Sequence, residues 1–230
     1  HVITYNAAIS ACETDAEWCR AISLLLEMEL NHINPDVVTY SAVISACEKV
    51  GGWELAFSLL AQMESRGVEP NIVTYGAAIS ACEKGSEWQQ ALVVLEAIHR
   101  SGLKPNIITL NAALSACEKG NEWQAALFLL ADVERREAEV NVVTFSAIIS
   151  SCEKGKQWRQ ALCFLAEMRH RGHSLDVIPS NAAMSACEKC GEWQHALGLS
   201  GELRRNMLAP STITFNAAIS ACEKGEAWNR

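Results

Sequence analysis

Hydrophobic and polar positions along the chain repeat every 35 residues. The stretch TYNAAISAC (4–12) returns as TYSAVISAC (39–47), TYGAAISAC (74–82), TLNAALSAC (109–117), TFSAIISSC (144–152), PSNAAMSAC (179–187) and TFNAAISAC (214–222). After a short polar turn, each of the first six copies is followed by a second apolar pattern. In the first it is Trp18, Ala21, Ile22, Leu25 and Met28, spaced i, i+3, i+4 as one face of a helix requires. The spacing predicts helix A over about residues 4–13 and helix B over about residues 17–30, with an equivalent pair in every later copy. Gly67, Gly102 and Gly172 suit the ends of B helices, and Pro35, Pro70, Pro105 and Pro210 stop their continuation.

The period holds without insertion or deletion through six full repeats, 2–36, 37–71, 72–106, 107–141, 142–176 and 177–211, and a truncated seventh over 212–230. Two helices and two short connections per repeat make an antiparallel hairpin. A hairpin this small buries its core only against its neighbours, so the fold class is all-α, an α-solenoid of stacked helix-turn-helix hairpins. The chain begins at His1 and stops in mid-pattern at CEKGEAWNR, so it is expected to be a piece of a longer protein, with any targeting leader outside it.

At about 100° per residue, Tyr5, Ala8, Ile9 and Cys12 share an apolar side of helix A, whereas Ile3, Asn6, Ser10 and Glu13 fall on another side within an arc of about 80°. The tryptophans Trp18, Trp53, Trp88, Trp123, Trp158, Trp193 and Trp228 occur once per repeat, at the start of helix B. They could stack on ligands, but the surrounding apolar pattern favours packing between hairpins. One helix A position varies only in hydrogen-bonding chemistry: Asn6, Ser41, Gly76, Asn111, Ser146, Asn181, Asn216. Stacking would line these up as a row, which is what a reader of a linear polymer needs.

Composition adds three constraints. Half of the residues are hydrophobic, too many for a disordered chain, and no apolar run reaches membrane-spanning length, so no membrane partner is expected. The formal net charge of −8 argues against a nucleic-acid partner, because phosphate binders usually carry a basic surface. Cys12, Cys47, Cys82, Cys117, Cys152, Cys187 and Cys222 lie one per repeat, which marks a small buried slot and a reducing compartment. Cys187 and Cys190 form a lone CxxC without a second ligand pair, so no metal or other cofactor is expected.

The chain resembles a pentatricopeptide repeat protein of the class built from uniform 35-residue repeats. The resemblance covers its whole length and rests on the period, the VxTYN start of helix A, the B-helix cores QQALVVLEAI and WQAALFLLADV, and the GxxPN/D loop end. The tetratricopeptide repeat has a period of 34 and a different Trp-Leu-Gly-Tyr signature. The resemblance implies a right-handed solenoid that binds single-stranded RNA, one base per repeat, with two residues choosing each base. These are the variable residue of helix A and the last residue of the repeat: Asn6 with Asp36, Ser41 with Asn71, Gly76 with Asn106, Asn111 with Asn141, Ser146 with Asp176, and Asn181 with Ser211, with Asn216 the first half of a seventh pair. The implied target is 5′-U-A-N-Y-G-C-3′, N being any base because Gly76 has nothing to read with.

The resemblance makes Ile3, Val38, Val73, Ile108, Val143, Ile178 and Ile213 wedges that sandwich the bases; packing at the helix start explains the same residues equally well. It makes Lys49, Lys84, Lys119, Lys154, Lys189 and Lys224 phosphate contacts, a role compatible with favourable placement at a helix C-terminus. Thr14 occupies that slot in the first repeat. The location implied is mitochondrion or chloroplast, and the role is processing, stabilisation or translation of transcripts.

No catalytic constellation emerges. His32, His99, His170, His173 and His195 share no repeat slot, and the glutamates beside the lysines suit solvation or pairing with them. The chain is expected not to be an enzyme. It is expected to be a monomer that engages RNA, with protein partners alongside; a protein-binding helical scaffold, favoured by the acidity, is the alternative.

Overall fold

A computed structural model of the chain describes residues 1–14, 17–135, 140–174 and 176–226; Trp228 and the side chain of Thr14 lie outside the described set. The described residues are helical, without strands. The helices are α1 (Val2–Thr14), α2 (Trp18–Leu30), α3 (Val37–Glu48), α4 (Trp53–Ser65), α5 (Ile72–Gly85), α6 (Trp88–Arg100), α7 (Ile107–Lys119), α8 (Trp123–Arg135), α9 (Val142–Lys154), α10 (Trp158–His170), α11 (Val177–Lys189), α12 (Trp193–Arg205) and α13 (Thr212–Lys224). Odd-numbered helices are the A helices and even-numbered ones the B helices. They divide into two compact blocks, residues 1–120 and 121–230, each a stack of hairpins of the α-solenoid kind.

Helix A begins two residues earlier than the apolar pattern predicts, and the cap explains why. Asp36, Asn71, Asn141 and Ser211 hold extended backbone and accept the amide of the Thr three residues on, while that Thr hydroxyl takes the capping residue's own amide. This reciprocal capping box satisfies two otherwise orphaned donors, and the capping oxygen alone is worth about 1 kcal/mol. The last residue of one repeat is therefore the first anchor of the next. At the B-helix ends Gly67, Gly102 and Gly172 adopt φ of +70°, +73° and +81°, the left-handed turn that glycine takes without strain.

Helix A is buried more completely than a two-sided reading expects. In α3 not only Tyr40, Val43, Ile44 and Cys47 but also Thr39, Ala42 and Ala46 are buried. Within each block the A helices contact one another, α1, α3, α5 and α7 in the first and α9, α11 and α13 in the second, and α1, α3, α5, α9 and α11 also contact the B helix of their own repeat. The small residues Ala42, Ala46, Ala77 and Ala81 are buried too, which suits close packing of neighbouring helices.

The tryptophans pack between hairpins. Trp158 and Trp193 lie against the buried cluster of Cys187, Ala196 and Ala221. The glycine after CEK makes room for the indole of the preceding hairpin: a Cβ built on Gly120, Gly155 or Gly225 would fall 2.5, 2.3 or 2.4 Å from Cδ1 of Trp88, Trp123 or Trp193. Cys47, Cys82, Cys117, Cys152 and Cys187 are fully buried. Burial pushes the Cys47 thiol up to about 11 and those of Cys82, Cys152 and Cys187 up to about 12, which suits inert packing residues. The two thiols of the CxxC face different surroundings, Cys187 in the core and Cys190 exposed with its Sγ 3.3 Å from the Lys156 carbonyl.

Candidate nucleic-acid interface

The two halves of a repeat's variable pair are 30 residues apart in sequence, and in the first and sixth repeats they meet in space because the second half caps the next A helix. In the first repeat Asn6 Nδ2 donates to Asp36 Oδ1 at 3.2 Å, with Oδ2 at 3.5 Å. The carboxylate only accepts, so the amide nitrogen must face it and the amide oxygen must face the other way. There it meets the Thr39 hydroxyl at 2.6 Å. Thr39 Oγ1 also lies 2.9 Å from Asp36 Oδ1 and accepts the Asp36 amide at 3.2 Å. Burial pushes the Asp36 carboxyl up, but the Thr39 amide and hydroxyl and the Asn6 amide outweigh it and hold the group below its ordinary value of 3.8.

The sixth repeat repeats this geometry with one substitution. Asn181 Nδ2 is 3.3 Å from Ser211 Oγ, and Thr214 Oγ1 donates to Asn181 Oδ1 at 2.7 Å. Ser211 and Thr214 hydroxyls are 3.1 Å apart. In the second repeat Ser41 Oγ and Thr74 Oγ1 are 2.7 Å apart, and Asn71 Oδ1 accepts the amides of Val73 and Thr74 at 2.9 Å each and the Thr74 hydroxyl at 3.0 Å. The Asn71 oxygen is thus engaged by the cap, which leaves its amide nitrogen as the end offered outward.

Two repeats depart. Gly76 offers nothing to Thr109, whose hydroxyl turns back to the Asn106 carbonyl at 2.8 Å, while Asn106 Oδ1 caps the Thr109 amide at 2.9 Å. In the fifth repeat the position of the Thr is taken by Pro179. Asp176 makes no side-chain cap, and Ser146 donates to the Val142 carbonyl of its own helix at 2.8 Å. In the fourth repeat Asn111 is half-buried on α7 of the first block, and Asn141 caps α9 of the second. Asn216 is exposed on α13.

The β-branched row flanks these pairs and is exposed throughout: Ile3 79%, Val38 53%, Val73 62%, Ile108 68%, Val143 57%, Ile178 66% and Ile213 65%. Residues that packed the helix start would be covered, so packing does not account for them. The lysines Lys49, Lys84, Lys119, Lys154, Lys189 and Lys224 are all exposed at the other end of the A helices. Four of them lie on glutamates one repeat back: Lys84 on Glu48, Lys119 on Glu83, Lys189 on Glu153 and Lys224 on Glu188, at 2.9–3.0 Å. Ser115, Ser185 and Ser220 bind the same oxygens of Glu83, Glu153 and Glu188 at 2.8–2.9 Å. For Glu188, burial pushes the carboxyl up, but the hydrogen bonds from Lys224 and Ser220 prevail and lower it.

Sequence reasoning missed the buried Thr39, Thr74 and Thr214 as parts of the site. The signal was present: Asp, Asn or Ser three residues before a Thr, found in five of the seven copies, is the spacing of a capping box. It also missed the serines that fix the glutamates, since nothing in a single repeat shows which neighbour a serine will reach.

Comparisons with known proteins agree with this architecture. Profiles described as "PPR repeat family", "Pentatricopeptide repeat domain" and "PPR repeat" match residues 1–49 and 35–84, residues 163–224, and residues 73–103 and 143–173, respectively. No curated relative matches the chain. Among solved structures, the pentatricopeptide repeat protein PPR10 from maize shares the fold at 22% identity and TM-score 0.71, over all of this chain and 34% of its own. PPR10 in complex with an 18-nt psaJ RNA element matches at 18% identity and TM-score 0.58, over 100% of this chain and 38% of its own. The PPR domain of Arabidopsis thaliana protein-only RNase P 1, in complex with tRNA, matches at 16% identity and TM-score 0.69, over 84% of this chain and 98% of its own. The chain spans about a third of the length of the maize protein it matches. With its 35-residue period, capped A helices and profile matches over 1–103 and 143–224, the chain belongs to the pentatricopeptide repeat family.

Proposed function

We propose that the chain binds single-stranded RNA in a sequence-selective way, one base per repeat, as a monomer of six repeats and part of a seventh. The observation that carries this reading is the two hydrogen-bonded pairs Asn6–Asp36 and Asn181–Ser211, each in a repeat whose helix A also carries an exposed β-branched side chain. Structures of this fold solved with an RNA element or with tRNA support it. The β-branched residues provide apolar faces between which bases slot, and the pairs meet the base edges.

The chemistry of each pair fits the base assigned to it. Asp36 offers a carboxylate acceptor, which matches the N3–H of uracil. Ser211 offers a hydroxyl that donates to N3 of cytosine. The outward amide nitrogen of Asn71 donates to N1 of adenine, with the short Ser41 leaving room for the purine. Asp176 with Ser146 suits the N1–H of guanine, Asn141 with Asn111 takes a pyrimidine, and Gly76 leaves the third base unread. The target is 5′-U-A-N-Y-G-C-3′. In this reading the six lysines meet phosphates, which sets a salt slope near −4 from about −0.7 per contact on a single strand. The setting is a mitochondrion or chloroplast, where such binding protects, processes or helps translate a transcript.

Fluorescence anisotropy with a labelled RNA containing this hexamer and with a scrambled one tests the proposal at a fixed salt concentration. Selective binding to the first is expected. Equal affinity for both, or none for either, overturns it, and capture of peptides in place of RNA would favour the scaffold reading.

A further inference from the structure

We infer that the Thr at the third position of each A helix is a positioning residue for the base reader of the repeat before it, and that Pro179 removes this control from the fifth repeat. The inference rests on the RNA-reading function proposed above. Five repeats bear on it, three in which the contact forms and two in which one member is missing. Where a polar residue and a Thr are both present, they bond: Thr39 to Asn6 at 2.6 Å, Thr74 to Ser41 at 2.7 Å, Thr214 to Asn181 at 2.7 Å. Where the polar side chain is missing, at Gly76, the Thr109 hydroxyl turns away to the Asn106 backbone. Where the Thr is missing, at Pro179, Ser146 folds back onto the Val142 carbonyl of its own helix. Where one member is missing, the other hydroxyl turns to a backbone carbonyl, Thr109 to that of Asn106 and Ser146 to that of Val142.

The consequence is directional. Thr39 and Thr214 are buried, and their hydroxyls hold the amide oxygens of Asn6 and Asn181 inward, so each amide nitrogen points at its partner, Asp36 or Ser211. An asparagine amide flips readily, and a flipped amide exchanges donor for acceptor at the base edge. The Thr removes that freedom before RNA arrives, which is preorganisation of a recognition group. In the fifth repeat no hydroxyl among the described residues holds Ser146 or the side chain of Asp176 in this way, and that repeat is the weaker discriminator.

The test compares Thr39→Val, Thr39→Ser and Pro179→Thr with the unaltered chain, using RNAs that differ only at the first or the fifth base. Thr39→Val should lower selectivity at the first base about three- to tenfold, the worth of one net hydrogen bond, and leave the second and sixth bases untouched. Thr39→Ser should restore it, which a purely structural role of the methyl group would not do. Pro179→Thr should raise selectivity at the fifth base by a similar factor, and it keeps the inference testable should Thr39→Val not fold. Selectivity at the first base unchanged by Thr39→Val, or at the fifth unchanged by Pro179→Thr, overturns the inference while leaving the proposed function standing. An unaltered chain with no base preference anywhere overturns both.

Discussion

Replacing Ser211 with aspartate would give the sixth repeat the hydrogen-bonding set of the first. The two sets already share an Asn whose oxygen is held by a Thr hydroxyl, at 2.6 Å in one and 2.7 Å in the other, and whose nitrogen faces the capping residue, at 3.2 and 3.3 Å. Only the capping side chain differs. A Ser hydroxyl can donate to the base, whereas a carboxylate can only accept. Cytosine, with an acceptor at N3, would lose a hydrogen bond and face a negative charge; uracil, with N3–H, would gain a charge-assisted bond. Hydrogen bonds to charged groups are worth about 1.5–3 kcal/mol, so the ratio of U to C affinity should rise about 10- to 100-fold. The fold should tolerate the change, because Asp36 caps α3 through the Thr39 amide at 2.8 Å as Ser211 caps α13 through that of Thr214 at 3.3 Å. Anisotropy titrations with two RNAs that differ only in the sixth base measure the ratio, and circular dichroism confirms the fold. A ratio within about twofold of the unaltered chain, with binding intact, would falsify the idea that the capping residue reads the base, since RT ln 2 is far below one hydrogen bond.

Three other outcomes follow from the geometry. Gly155→Ala should destabilise the second block by about 1–3 kcal/mol, as overpacking does, because its Cβ would fall 2.3 Å from Cδ1 of Trp123. Gly198→Ala, in α12 with nothing within 4 Å, should stabilise the chain by about 0.5–1 kcal/mol; urea melts that rank the two the other way refute the packing argument. A thiol reagent near pH 8 should label Cys19, Cys163 and Cys190 quickly and leave Cys47, Cys82, Cys117, Cys152 and Cys187 unlabelled until the chain unfolds, read by mass spectrometry. Because the Asp36 carboxyl is lowered in the folded chain, its contribution to stability should be complete above 3.8 and fade as pH falls through the lower folded value. Asp36→Asn should flatten that part of an acid titration of stability, and an identical acid limb in both chains would count against the capping network.

How much of this was legible in the sequence depends on whether one repeat or two are involved. The 35-residue period and the variable residue of helix A show when the copies are aligned, the order of the helices shows within one copy, and the helices stand in that order. What spans two copies was harder to see. Helix periodicity describes one buried face, whereas α3 packs against α1, α5 and α4, so Ala42 and Ala46 read as neutral filler although they let A helices approach. The glycine of CEKG reads as a turn residue, but its lack of a Cβ is what admits the indole of the hairpin before it. Thr39 reads as the opening of a helix and is also the hydroxyl that holds Asn6.

The same cross-repeat logic changes what the net charge of −8 means. Lys84, Lys119, Lys189 and Lys224 do not stand as a free positive row, because each lies against the Glu one repeat back. Half-exposed pairs of this kind are worth about 0–1 kcal/mol, so a phosphate can take the ammonium at small cost. The carboxylate left behind then repels the same phosphate, and long-range attraction nearly cancels. In the RNA-binding reading proposed above, the glutamate partners therefore bring the salt slope closer to zero than the value of about −4 that six unopposed lysines would set. The proposed reading then assigns discrimination to the groups that differ from repeat to repeat, the Asn, Ser and Asp side chains beside exposed β-branched residues. In that reading, binding to unrelated RNA, which depends on phosphate contacts alone, is weakened by the same Lys–Glu pairs that spare the base contacts.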